Sequence, residues 1–382
     1  MTLLTETENG PLVLGPEQIE ELGKALDELR AKVVADLGDR DREYLYSIIK
    51  AQRGFEVAGR SLMYLGFLPP VWLAAVAALS VSKILDNMEI GHNVMHGQYD
   101  WMREPGVNSR VFEWDTVCPA DQWKHSHNYL HHTYTNIHNK DRDIGYSILR
   151  MDEAQSWNVL RLGQPIYAFA LMMLFEWGVM GHDLEVENIL AGKRKWPEVK
   201  RLIKGQLRKA GKQSLKDYLI FPALTGPLFL STLAGNVTAN LVRNVWAFSI
   251  IFCGHFPTGV QTFTEEETAD ETRGEWYIRQ MLGSANITGS KLFHIMSGNL
   301  SHQIEHHLFP DLPATRYPEI APEVRALCEK YGLPYNTGSL SKQIGSVWLK
   351  IFKLALPPSL VKSEPSPGVI VMRQRKASEV GV

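Results

Sequence analysis

Cysteine is scarce in this chain. Cys118, Cys253 and Cys328 stand far apart among 382 residues, and no CxxC occurs. That argues against a thiolate zinc site, an iron–sulfur cluster and a redox dithiol. The odd count leaves no disulfide framework and fits a reducing compartment. An excess of charge is missing too. Lys and Arg number 40 against 42 Asp and Glu, for a net charge of −2, which sets nucleic acid aside as a partner. There is no His-Pro-Gly-Gly haem motif, and no GxGxxG opens a strand–helix unit. The chain therefore has no means of its own to take electrons from a nicotinamide. The first residues, MTLLTETENG, have neither the basic start nor the apolar core of a signal peptide. Membrane insertion would have to use internal segments.

Such segments are present. Ser61 to Ser82 carries no charge over 22 residues, enough to cross a bilayer. Pro69-Pro70 splits it, so it reads either as one kinked span or as a hairpin. The hairpin would start near Phe55, turn at the prolines and return from Val71 toward Asp86. Leu162 to Phe175 is apolar for 14 residues, which suits an interfacial or buried helix. A basic stretch at 193–216 precedes two further uncharged runs, 25 residues from Tyr218 and 21 from Asn244, with Arg243 between them. These predict a second hairpin, 218–235 and 237–254, with the basic side cytoplasmic.

Other segments look soluble. Residues 16–37 predict an amphipathic helix with Ile19, Leu22, Leu26, Leu29 and Val33 on one stripe. Residues 41–60 continue as a mixed helix, and 318–332 form a helix closed by Gly332. Residues 1–15 and 357–382 are polar or rich in Pro, Ser and charge, and are expected to be disordered. The expected organisation is an N-terminal segment and helix (1–40), a main domain (41–350) and a C-terminal tail (351–382).

Most of the histidines fall in three clusters. These are His92-Asn-Val-Met-His96, His127-Asn-Tyr-Leu-His131-His132 and His302-Gln-Ile-Glu-His306-His307. On an α-helix, residues four apart share a face, so both imidazoles of an HxxxH reach one point. In HxxxHH the third ring points about 100° away from the second, so one helix could serve two metals. Eight imidazoles exceed what one tetrahedral zinc needs and suit two octahedral ions. His255, in Cys253-Gly-His-Phe-Pro-Thr258, is a ninth candidate. Imidazole alone does not choose among iron, zinc, copper and nickel. His138, His182 and His294 read as surface or structural residues. His125 is out of register with its cluster and is set aside.

At these clusters the sequence resembles the membrane fatty acid desaturases. The stretches WKHSHNYLHHTYTN (123–136) and GNLSHQIEHHLFPDLP (298–313) carry the likeness, which extends over about residues 40–350. GHNVMHGQYDWM, RNVWAFSIIFCGHFP and RQMLGSAN look like the actinobacterial acyl-CoA desaturases, a subgroup acting on stearoyl-CoA at carbon nine. The resemblance implies an all-α polytopic membrane protein with four transmembrane helices in two hairpins. A cytosolic helical cap would hold a di-iron site facing the cytoplasm of the cell membrane. It carries over His92, His96, His127, His131, His132, His306 and His307 as ligands. His255 matches a histidine that some members place after the last membrane helix. In the third cluster His302 is taken as the ligand, with Gln303 as its rival. Glu305 would accept from a ligand N–H or form a surface salt bridge.

The implied reaction is O2-dependent insertion of a double bond into a fatty acyl-CoA. Electrons would come from a separate NADPH-dependent reductase with flavin and iron–sulfur centres. Its dock could be the basic 193–216 stretch, although contact with the membrane surface explains those charges equally well. Trp72, Met88, Trp114, Trp246 and Phe252 are candidates to line the acyl tunnel, or else face lipid or core. A membrane hydroxylase, an acyl-lipid desaturase and a non-catalytic metal-binding protein are the alternative readings.

Overall fold

The computed structural model describes residues 12–361 and 369–371. Of the ends expected to be disordered, 1–11, 362–368 and 372–382 lie outside the described residues. Three pieces inside them are described, contrary to expectation: 12–15, 357–361 with a 3-10 turn at Pro358–Leu360, and 369–371. Leu12–Leu14 pairs in parallel with Val369–Val371, so each segment satisfies backbone groups of the other.

The first apolar run is a hairpin and not a kinked span. A helix over Asp39–Leu62, extended by a turn at Met63–Leu65, reverses and returns as Pro69–Ile84. Pro69 begins the second arm, where its missing N–H costs nothing. The first arm starts at Asp39, well before Phe55, because Asp41 accepts a hydrogen bond from the Gly38 N–H and caps it. The second arm continues through a π-helical turn, Leu85–His92, into Asn93–Met95.

The second hairpin turns elsewhere than expected. Phe229–His255 is one unbroken helix of 27 residues, which runs through the turn predicted at 235–237. The chain reverses instead at Thr225–Leu228, where Gly226 has φ of 57° and Pro227 follows. The preceding arm is the basic helix Trp196–Leu215, prolonged through Lys216–Ile220 and Phe221–Leu224. Gly235 and Asn236, which resemble turn residues in sequence, serve packing. A Cβ at Gly235 would stand 2.3 Å from Met63 Cε. The Asn236 amide donates to the Asp217 carbonyl and accepts from Arg60.

Among the described residues, Pro69–Met95 and Gly226–His255 are long and apolar enough to cross a membrane. The Val159–Met173 and Phe175–His182 helices would make a third span only if counted together, and they meet at a bend of 102°. The other two hairpin arms carry too many charges for that test, so four crossings do not follow from length and composition. Charged side chains nevertheless tie the arms together. Lys83 Nζ lies 2.6 Å from Asp217 and 3.3 Å from Asp115. Arg60 reaches Asp217 at 3.1 Å, and Arg243 reaches Glu176 at 2.6 Å.

A helical cap covers one end of these arms. Pro16–Ala35, Arg273–Leu282, Gln303–Leu308 and Tyr317–Tyr331 share one core that includes Leu22, Leu26, Tyr277, Ile304 and Tyr317. Gly332, with φ of 68°, closes the last of them, as expected. Asp41 and Arg316, both buried and 2.6 Å apart, pin the cap to the first hairpin.

Candidate metal centre

The histidine clusters come from separate elements: the end of the first hairpin's second arm, a π-helical segment and a short cap helix. His92 ends the π-helical turn, and the His96 N–H bonds the His92 carbonyl at 3.1 Å. That α-type spacing puts the two rings 4.5 Å apart. The second cluster follows a different geometry from the α-helix assumed for it. Lys124–His131 is π-helical, and the His132 N–H donates to the His127 carbonyl five residues back. The wider turn brings residues five apart onto one face. His127 therefore lies 5.1 Å from His131 and 5.0 Å from His132, and the third ring does not diverge. His306 and His307 lie on the short Gln303–Leu308 helix, and His255 ends the long one.

The rings converge in two groups. The ligand atoms of His92, His96, His127 and His306 lie within 4.8 Å of one another, as do those of His131, His255 and His307. His132 bridges the groups, 4.7 Å from His96 and 4.5 Å from His307 by ring centres. His302 does not join them. It precedes the first turn of its helix, and its ring packs 4.7 Å from His294. Gln303, the rival, places its amide nitrogen 3.0 Å from His255 Nε2. The physical reason is that the helix begins at residue 303, so HxxxHH here is not one continuous helical face.

For three of the rings one nitrogen has a partner and the other does not. Nδ1 of His131 faces Asp141 at 3.0 Å, that of His307 faces Gln280 at 3.0 Å, and that of His306 faces Tyr317 at 3.2 Å. Such contacts set the tautomer and aim the other nitrogen. Nε2 of His96, His127, His131, His132, His306 and His307 is buried without a hydrogen-bond partner. Buried polar atoms are seldom left unpaired. Six such atoms aimed into one space fit metal ions.

For three of the rings the electrostatics agree. Burial, then neighbouring imidazoles, holds His132, His306 and His307 well below the ordinary histidine range. They are therefore neutral, as ligands must be. Burial also disfavours a charged His131, but Asp141 and Asp143 outweigh it and lift the group to about 9.

Sequence reasoning missed several participants. Asp143 lies 3.6 Å from His127 and 2.9 Å from His182. With His127 and His131 it forms a third group able to hold a metal. The closely spaced acids Asp141 and Asp143, just after the second cluster, were the available signal. Gln280 and Tyr317 gave none. Glu305 fills neither role expected of it. It is fully buried and bonds Tyr335 at 2.7 Å and Asn286 at 2.8 Å. His138 and His294 are structural, on Asp152 and Ser301. His182 is structural as well, but it also lines the cavity described next, and His125 is exposed.

A cavity leads from His92, His127 and His255 into the helical layer. Met88 and Trp114 line it as expected. Trp72, Trp246 and Phe252 do not. The two indoles bond the Ser231 and Met296 carbonyls, and Phe252 stacks 3.8 Å from Phe248 in the core.

A family model described as fatty acid desaturase matches residues 67–339. The chain is 43% identical over 367 residues to an NADPH-dependent stearoyl-CoA 9-desaturase of Mycobacterium tuberculosis, covering 95% of this chain and 86% of that one. It is 25% identical over 273 residues to an sn-1 linoleoyl-lipid 6-desaturase of Synechocystis, covering 70% and 76%. With a Delta(5) fatty acid desaturase A of Dictyostelium discoideum it shares 27% over 313 residues, covering 76% and 64%. A histidine-lined centre opening on an apolar cavity, matched along most of the chain by these relatives, places this protein in the fatty acid desaturase family of oxidoreductases.

Proposed function

We propose that this protein inserts a cis double bond into a long saturated acyl chain presented as a CoA thioester, stearoyl-CoA at carbon nine. The observation that carries the reading is the set of buried, partnerless Nε2 atoms, converging with His92 and His255 beside a mostly apolar cavity that His92, His127 and His255 line. The relative that matches over 95% of the chain supports the substrate class.

Two irons would be held by His92, His96, His127 and His306 and by His131, His255 and His307, with His132 between them. Bound there, iron supplies the O2 chemistry that side chains lack. Two substrate hydrogens, two electrons and two protons together convert O2 to two waters. The chain's own residues aim the ligands, through Asp141, Gln280 and Tyr317. The walls of the cavity position the acyl chain and keep bulk water away. A separate NADPH-dependent reductase delivers the electrons. The histidine face lies on the cytoplasmic side of the cell membrane, the side that the basic Trp196–Leu215 helix favours. The desaturase domain spans about residues 41–350.

The test is expression with a reductase, followed by location of the double bond in the product and metal analysis of the same sample. Oleoyl product and close to two irons per chain are expected. An alcohol without a double bond would make the protein a hydroxylase. Desaturation of membrane lipid but not of added acyl-CoA would change the substrate class.

A further inference from the structure

The cavity has a far end. The Phe229–His255 helix contributes Arg243, Asn244, Ala247, Ile251 and His255 to its wall. These lie along one helical face, from the metal end at His255 back to Arg243. Twelve residues separate the two, about 18 Å of helix. Within the Phe175–His182 helix the order runs in parallel. His182 stands by Asp143 at the metal end, and Phe175 and Glu176 stand at the Arg243 end.

The far wall is a buried ion pair set among polar partners. Arg243 and Glu176 are only 1% and 6% exposed. The guanidinium is engaged on all sides, by Glu176 at 2.6 Å, Asn244 at 3.0 Å, Asn240 at 3.2 Å and the Asp115 carbonyl at 3.3 Å. Glu176 also accepts from the Val117 N–H. Asp115 is in turn bound to Lys83. The pair is thus anchored in the charged cluster that joins the hairpins.

The geometry points to the Arg243–Glu176 pair as the floor of the acyl tunnel, which sets the longest methyl-terminal tail the enzyme accepts. This rests on the acyl-chain reading of the cavity. A wall whose hydrogen-bonding groups are already occupied has little left with which to recognise a polar group, so it selects by length. A longer tail would have to push apart a desolvated pair, and breaking such a pair is strongly unfavourable. The limit should therefore be sharp.

The experiment compares wild type with the double variant Arg243→Met and Glu176→Leu, as full chains with a reductase. Both partners are removed together so that no buried charge is left alone. Acyl-CoAs of sixteen, eighteen and twenty carbons are the probes. Wild type should reject the twenty-carbon chain. In the double variant the twenty-to-eighteen ratio of kcat/KM should rise roughly 10-fold or more, in line with what one or two methylenes are worth in an apolar pocket. Ala247→Val, which narrows the same limb nearer the metal end, should shift preference toward sixteen carbons. An unchanged ratio in a double variant with normal iron content overturns the floor. If the double variant loses its iron, Ala247→Val decides, and an unchanged preference there overturns the proposal. A wild type that desaturates no acyl-CoA removes the functional reading itself, and the floor with it.

Discussion

The amide nitrogen of Gln303 lies 3.0 Å from Nε2 of His255, while its neighbour His302 turns away to pack on His294. One residue of register separates a side chain at the metal centre from one outside it. Gln303→Leu should lower iron content and cut activity roughly 10-fold or more, the scale seen when groups that orient ligands are lost. His302→Ala should keep both near wild type. The reverse pattern, read by metal analysis and product formation, would restore His302 as a ligand.

Asp141 should matter as much as a ligand. Both of its carboxylate oxygens lie within 3.1 Å of His131 Nδ1, and one also accepts from the Asn136 N–H. Asp141→Asn should reduce metal affinity or activity about 10–100-fold with the helical content unchanged by circular dichroism. Asp152→Asn, beside the structural His138, serves as the control and should retain its iron. Equal effects from the two would deny Asp141 a special part.

Lys83 stands 3% exposed between Asp115 and Asp217. Lys83→Met takes one cation from each of two carboxylates, leaving Lys216 on Asp115 and Arg60 on Asp217, and should destabilise the protein by about 1–3 kcal/mol, measured by unfolding in detergent. Adding Asp217→Asn should recover part of the loss. If the single variant unfolds like wild type, the cluster does not hold the hairpins together.

Gly235 tests the close approach of the two hairpins. Gly235→Ala would put a methyl group against Met63, and overpacking of that kind costs about 1–3 kcal/mol. Met63→Ala in the same chain should relieve it. A double variant less stable than both single variants would show that the contact is not the cause.

How much was legible in advance follows the range of the interactions involved. The stripe of Ile19, Leu22, Leu26, Leu29 and Val33 is local periodicity, and it is buried as expected. The turn expected between 235 and 237 falls inside a helix, where Gly235 and Asn236 serve packing. Their contacts are with Met63, Arg60 and Asp217, each far away in sequence. The second histidine cluster is legible in the sequence, but its π-helical winding is not, because α and π turns share the same local signals.

The sequence by itself determined that this chain concentrates imidazoles in three places beside apolar runs, and that its wording is that of the desaturases. Ligand chemistry and four-residue spacing are local, so they can be read from a string. Only the tertiary structure decided which imidazoles meet, that Gln303 and not His302 reaches them, and that Asp141 and Asp143 stand behind them. It alone placed Arg243 and Glu176 at the end of a cavity. Those outcomes depend on where a helix starts and on which distant elements close around it. Packing settles both, and no single stretch of the chain records them.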